Sequence, residues 1–88
     1  MTIQDKMQLQ QLLILTLRAE IEMLNCREVY QDYKRGVEER EDAGFTVPDR
    51  HYEEYCNAER KLTRAYAKWR RLEDSYRGKL VDLGVREI

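Results

Sequence analysis

The stretch Leu9–Leu24, with the sequence LQQLLILTLRAEIEML, decides the fold because it is rich in aliphatic side chains and contains neither glycine nor proline. At 100° per residue, the apolar side chains in and around this stretch form two stripes on opposite sides of a helix. The outer stripe consists of Ile3, Met7, Leu13, Ile14, Leu17, Ile21 and Leu24. The inner stripe consists of Leu9, Leu12, Ala19, Met23, Cys26, Tyr30, Tyr33 and Val37. A helix with two apolar stripes must be covered on two sides.

The composition predicts an all-α protein with a single domain over residues 1–88. Charged residues make up 38% of the 88 residues and hydrophobic ones 42%, with one proline and four glycines. This composition is typical of long helices with a solvated face. The alternation of apolar and polar residues that marks a strand is absent from the sequence.

The first helix is predicted over about residues 3–42. Thr2 can cap its start, and Asp5 three residues later can bond back to the cap. Gly44 is the expected stop, because glycine takes the left-handed backbone conformation easily.

A turn over residues 43–48 leads into a second helix over about residues 49–83. Thr46, with Asp49 three residues later, is a candidate cap for this helix, and Asp49 itself is the alternative. We expect the tail, residues 84–88, to fray.

The second helix carries a heptad pattern, which indicates coiled-coil-like packing. The spacing alternates between three and four residues through Tyr52, Tyr55, Glu59, Leu62, Tyr66, Trp69, Glu73, Tyr76, Leu80 and Leu83. A short turn between two long helices makes them antiparallel neighbours. The sequence therefore predicts a helical hairpin whose core comprises Leu12, Met23, Cys26, Tyr30, Tyr33, Val37, Tyr52, Tyr55, Leu62, Tyr66, Trp69, Tyr76 and Leu80.

The hairpin uses only the inner stripe, so the outer stripe is left without a neighbour. At about 25 cal/mol per Å², leaving its seven side chains in water would forgo on the order of 10 kcal/mol. We therefore expect the outer stripe to be an oligomer interface, in a four-helix dimer or a higher oligomer.

Charge is distributed unevenly along a chain whose net charge is −1. Residues 1–58 hold 7 Lys or Arg and 12 Asp or Glu, whereas residues 59–88 hold 9 and 5. The second helix carries a basic face made of Arg60, Lys61, Arg64, Lys68, Arg71 and Lys79. We expect this face to be solvated and to attract an acidic partner. The alternatives are nucleic-acid binding, and capture of a small anionic ligand such as a nucleotide at a subunit interface.

Few residues in the sequence suggest catalysis or metal binding. His51 is the single histidine, and Cys26 and Cys56 are too far apart in sequence to form a usual zinc motif. Glu59 and Glu73 lie in the heptad seam, where salt bridges to Arg18, Arg27 or a partner's arginine can set the register. We therefore expect no enzymatic activity, no metal and no cofactor.

The opening residues lack a basic leader, and the longest purely apolar run is Leu12–Leu15. We expect a cytoplasmic protein with reduced thiols and no membrane association. The sequence predicts a small non-enzymatic interaction protein of the adaptor or inhibitor type, a class that includes proteins encoded by phages and other mobile elements. It is expected to self-associate and to bind a protein partner.

Overall fold

The computed structural model describes residues 1–84, which form two long helices packed against each other. Helix α1 spans Ile3–Asp42 and α2 spans Asp49–Asp82, and no strand is present in residues 1–84. The predicted all-α pair of helices is confirmed. The hairpin is elongated, with extents of 62 × 22 × 13 Å. Of the predicted frayed tail, only Gly84 is described, and residues 85–88 lie outside the described part of the chain.

Both ends of α1 are held by local hydrogen bonds. The Thr2 hydroxyl accepts from the Asp5 backbone N–H at 3.1 Å, and the Asp5 carboxylate accepts from the Thr2 N–H at 3.2 Å. This reciprocal capping box is the one that the sequence predicts. At the other end, Phe45 N–H donates to the Arg40 carbonyl at 2.9 Å, while Gly44 has a φ of +79°. The Schellman geometry explains why glycine ends this helix.

The start of α2 differs from the prediction. Pro48 is the N-cap, and no side chain caps the helix, so neither Thr46 nor Asp49 has the capping role. Val47 is buried, which fixes the chain just before the helix. The φ of −60° that proline imposes at position 48 then directs the chain into the helix at Asp49.

The interior of the hairpin is thin and consists of small side chains. The buried residues are Thr16, Ala19, Met23, Val37, Val47, Ala58 and Ala65. Within residues 1–84, no side chain is less than 2% exposed. The accessible surface is 7111 Å², whereas a globular monomer of this mass has about 5,500 Å². The hairpin therefore buries little of its apolar surface by itself.

The contact of α2 with α1 is centred on alanines, so α2 is rotated away from the predicted seam. Ala58 and Ala65 lie on one flank of that seam, yet they are the buried residues of α2. The rotation leaves Tyr52 and Tyr66 exposed, at 39% and 50%, and Tyr33 on α1 is 38% exposed. The prediction that these three tyrosines belong to the hairpin core is wrong, because small side chains, and not the large rings, are buried between α1 and α2.

The remaining predicted core residues are buried or half-buried. Met23 and Val37 are buried. The half-buried ones are Leu12, Cys26, Tyr30, Tyr55, Leu62, Trp69, Tyr76 and Leu80.

Candidate interaction surfaces

The outer stripe is exposed along the whole first half of α1. The exposed fraction ranges from 37% at Leu13 to 79% at Ile3, and it is 48% at Leu17. The residues that α1 buries against α2, such as Ala19 and Met23, lie on the opposite side, about 160° away at 100° per residue. Within residues 1–84, no part of the chain covers this stripe. It is a large apolar surface of the kind that monomers rarely present to water.

A second apolar surface is a groove between the two helices, which we call the aromatic groove. It has a volume of about 600 Å³ and is lined by Met23, Arg27, Tyr30, Gln31, Leu62, Thr63, Tyr66 and Trp69. The Tyr66 and Trp69 rings meet edge to face, with centroids 5.7 Å apart. Sequence reasoning missed this groove because it placed both rings inside the core. Ala58 and Ala65 are the sequence feature that could have indicated it, because these small residues mark the line along which α2 contacts α1.

Tyrosine hydroxyls connect the helices near the turn. The Tyr30 and Tyr55 hydroxyl oxygens are 3.2 Å apart, and the ring centroids are 5.4 Å apart. This hydrogen bond, together with partial burial, raises the pKa of Tyr55 to about 12. The Tyr52 hydroxyl donates to the Glu41 carboxylate, which raises the pKa of Tyr52. Each pair joins one residue of α1 to one of α2.

The basic face is solvated for most of its length. Five of its residues are exposed, namely Arg60, Lys61, Arg64, Lys68 and Arg71, whereas Lys79 is half-buried. Lys68 Nζ lies 3.5 Å from the Glu22 carboxylate on α1. Arg60 donates to the Asn57 side chain at 3.2 Å. Tyr66 and Trp69 line the groove on another side of α2, so the basic face and the aromatic groove are separate surfaces.

The two seam glutamates do not bridge to α1 in the described residues. A Glu73 oxygen accepts from Arg77 at 2.8 Å on the same helix, and its other oxygen is buried without a hydrogen bond. No ion pair of Glu59 is present in residues 1–84. The predicted salt bridges to Arg18 or Arg27 are therefore wrong for the single chain, because the rotation of α2 turns Glu59 toward the edge of the contact.

The remaining reactive residues are dispersed. The His51 imidazole contacts the Arg40 guanidinium beside the turn. Cys26 and Cys56 are both free thiols, half-buried and exposed respectively. No three His, Cys, Asp or Glu side chains of the described chain are grouped so that they could hold a metal ion. Neither α1 nor α2 is long and apolar enough to cross a membrane.

Comparison with known proteins gives no assignment. No protein-family model matches the chain, and no curated protein or solved structure matches it. The function must therefore be inferred from the surfaces described above.

Proposed function

We propose that this protein is a non-enzymatic interaction protein of the adaptor or inhibitor type, which self-associates through the outer stripe and presents its other surfaces to a protein partner. One observation carries the proposal. Seven apolar side chains of α1 are exposed on one face of a hairpin that has no fully buried side chain of its own in residues 1–84.

The size of the exposed surface supports self-association. The accessible surface exceeds that of a typical globular monomer by roughly 1,600 Å², and a standard interface buries about 800 Å² on each partner. At about 25 cal/mol per Å², covering 800 Å² of apolar surface would contribute on the order of 20 kcal/mol before the costs of association are subtracted. A surplus of a few kcal/mol is enough for a stable dimer.

The aromatic groove is the surface that we assign to the protein partner. Tyrosine, tryptophan and arginine are the residues that most often dominate binding energy, and Tyr66, Trp69 and Arg27 line this groove together. The positive charge of Arg27 in the lining favours a partner segment that combines apolar anchors with an acidic residue.

Two leucines of equal exposure provide the test of self-association. Leu15 and Leu17 are each 48% exposed, but only Leu17 belongs to the outer stripe. Size-exclusion chromatography with light scattering should show that Leu17→Glu dissociates the oligomer or prevents folding. Leu15→Glu should leave the oligomer intact. Equal behaviour of the two variants would remove the outer stripe from the interface.

The partner surface is tested by affinity capture from the native host with matched tyrosine variants. Tyr66→Ser removes a ring of the aromatic groove, whereas Tyr33→Ser removes an exposed ring elsewhere. We expect Tyr33→Ser and the wild type to retain the same protein and Tyr66→Ser to lose it. Retention of the same protein by the wild type and both variants would contradict the groove assignment.

Nucleic-acid binding by the basic face is the second candidate function. It is favoured by Lys61, Arg64 and Arg71, which are exposed and have no carboxylate partner in residues 1–84. Such binding should weaken steeply with salt and disappear when Arg64, Lys68 and Arg71 are all changed to Glu. Binding that is absent, or insensitive to salt, would exclude this function.

A further inference from the structure

The exposed face of α1 carries a heptad repeat of its own. The repeat consists of Ile3, Met7, Gln10, Ile14, Leu17, Ile21 and Leu24, with alternating spacings of four and three residues. All seven residues are exposed. In heptad notation Met7, Ile14 and Ile21 are a positions and the other four are d positions. The polar Gln10 is the only interruption, and the charged Glu28 ends the repeat.

We propose that a second copy of this chain docks on the outer stripe with its α1 antiparallel to the first, so that residue i lies opposite roughly residue 24 − i of the partner. This inference rests on the self-association proposed above and specifies its geometry. In this register Ile3 packs against the partner's Ile21, Met7 against the partner's Leu17, and Gln10 against the partner's Ile14. The two-fold axis generates a second copy of each of these three contacts, so the interface contains six layers of facing side chains.

Charge complementarity selects this register. Lys6 and Glu20 flank the heptad on one side, and neither has an ion pair within residues 1–84. The antiparallel arrangement places Lys6 beside the partner's Glu20 twice, once at each end of the interface. Leu13 flanks the heptad on the same side, and it meets the partner's Leu13 on the symmetry axis. This contact accounts for a leucine that lies outside the strict repeat.

The competing arrangements lack these contacts. In a parallel pair, Lys6 lies beside the partner's Gln11, and Leu13 lies beside the partner's Arg18. A parallel pair also brings together the acidic turn ends, since residues 25–58 hold five Lys or Arg and nine Asp or Glu. An antiparallel shift by one heptad would place Lys6 beside the partner's Arg27, where like charges repel.

Disulfide cross-linking distinguishes the two orientations. In a Cys26→Ser/Cys56→Ser background, Met7→Cys and Leu17→Cys are prepared separately, then mixed and oxidised. The antiparallel register predicts a cross-linked heterodimer in the mixture and no cross-link in either variant alone, because identical positions lie about 15 Å apart along the axis. A parallel dimer gives the reverse result, with each variant cross-linking to itself.

Each outcome bears on a different claim. A wild type that is monomeric by light scattering would overturn both the self-association and this geometry. A dimer in which Met7→Cys cross-links to itself would overturn the antiparallel geometry alone. A dimer that gives no cross-link in any sample would overturn this register, in favour of a shifted register or of another interface. Occupation of the outer stripe by a different protein, with the chain otherwise monomeric, would exclude the second copy as its occupant.

A charge exchange provides a measurement that does not depend on cysteine. Lys6→Glu and Glu20→Lys should each weaken the dimer several-fold, measured as its Kd by sedimentation. The double variant should return to the wild-type Kd, because the pair is restored with its charges exchanged. Additive weakening in the double variant would contradict the antiparallel register.

Discussion

The hydroxyl groups of Tyr30 on α1 and Tyr55 on α2 share a hydrogen bond of 3.2 Å, which ties the two helices together near the turn. Their rings are also stacked at a tilt, with centroids 5.4 Å apart. A tyrosine pair is well suited to a thin helical interface, because the rings contribute apolar area while one hydroxyl donates a hydrogen bond to the other.

This pair makes stability sensitive to alkaline pH. Its hydrogen bond raises the pKa of Tyr55 from 10.0 to about 12, so the folded state holds the phenolic proton more tightly than the unfolded state does. The stabilisation is therefore fully present below pH 10 and is lost as the pH rises from 10 to 12. Urea unfolding across this range should show a steeper loss for the wild type than for Tyr55→Phe.

Tyr66 supplies the control for that measurement, since its hydroxyl makes no hydrogen bond within residues 1–84. The Tyr66→Phe variant should follow the wild-type pH profile. If Tyr55→Phe lost stability as steeply as the wild type, the hydroxyl pair would have no role in the alkaline transition.

The two threonines that precede helices should respond differently to truncation. Thr2→Ala removes the hydroxyl that caps α1 and should lower the free energy of unfolding by about 1 kcal/mol. Thr46→Ala should have little effect, because the Thr46 side chain caps nothing. Chemical denaturation of both variants checks this difference, and an equal loss would mean that Thr46 stabilises α2 after all.

The capping box also lowers the pKa of Asp5, chiefly because its carboxylate accepts a hydrogen bond from the Thr2 backbone N–H. The stabilisation of the folded state by the ionised Asp5 carboxylate is fully present above the ordinary pKa of 3.8. It is lost as the pH falls through the lower pKa of the folded state. The stability difference between the wild type and Asp5→Ala should therefore shrink in acid, as measured by chemical denaturation.

The close helix contact makes Ala65 sensitive to added volume. Ala65→Leu inserts three carbons where α1 and α2 approach each other and should destabilise the hairpin by about 1–3 kcal/mol. Ala67→Leu, two residues away on an exposed part of α2, should change stability by less than about 0.5 kcal/mol. Thermal unfolding measures both, and a harmless Ala65→Leu would show that α1 leaves room for a larger side chain at this position.

Two glycines should respond to alanine with opposite signs. Gly36 lies inside α1 with open space where a Cβ would be, so Gly36→Ala should stabilise the protein by about 1 kcal/mol. Gly44 ends α1 with a φ of +79°, so Gly44→Ala should cost about 1–2 kcal/mol. If Gly36→Ala were destabilising, another chain would have to approach α1 at that position.

Sequence periodicity predicts the hairpin because its causes are local. The Thr2 capping box and the stop at Gly44 depend on short segments. The separation of the outer stripe from α2 follows from the helical period of α1. These features need no knowledge of how the two helices meet.

The rotation of α2 could not be predicted in the same way, because it depends on closest approach between helices. The heptad pattern predicts that large residues such as Tyr66 lie in the contact between the helices. In the structure, α2 instead buries the small residues Ala58 and Ala65. The cap at Pro48 was missed for a similar reason, since burial of the neighbouring Val47 fixes the chain there. In both places tertiary packing determines the structure, and the preference of the local sequence does not.

Sedimentation equilibrium of the wild type over a range of micromolar concentrations tests most directly whether the outer stripe is covered by a second copy. One chain has a mass of 10.7 kDa. We expect a mass of two chains, with dissociation toward one chain only on dilution. A folded species that keeps the mass of a single chain at every concentration would contradict it.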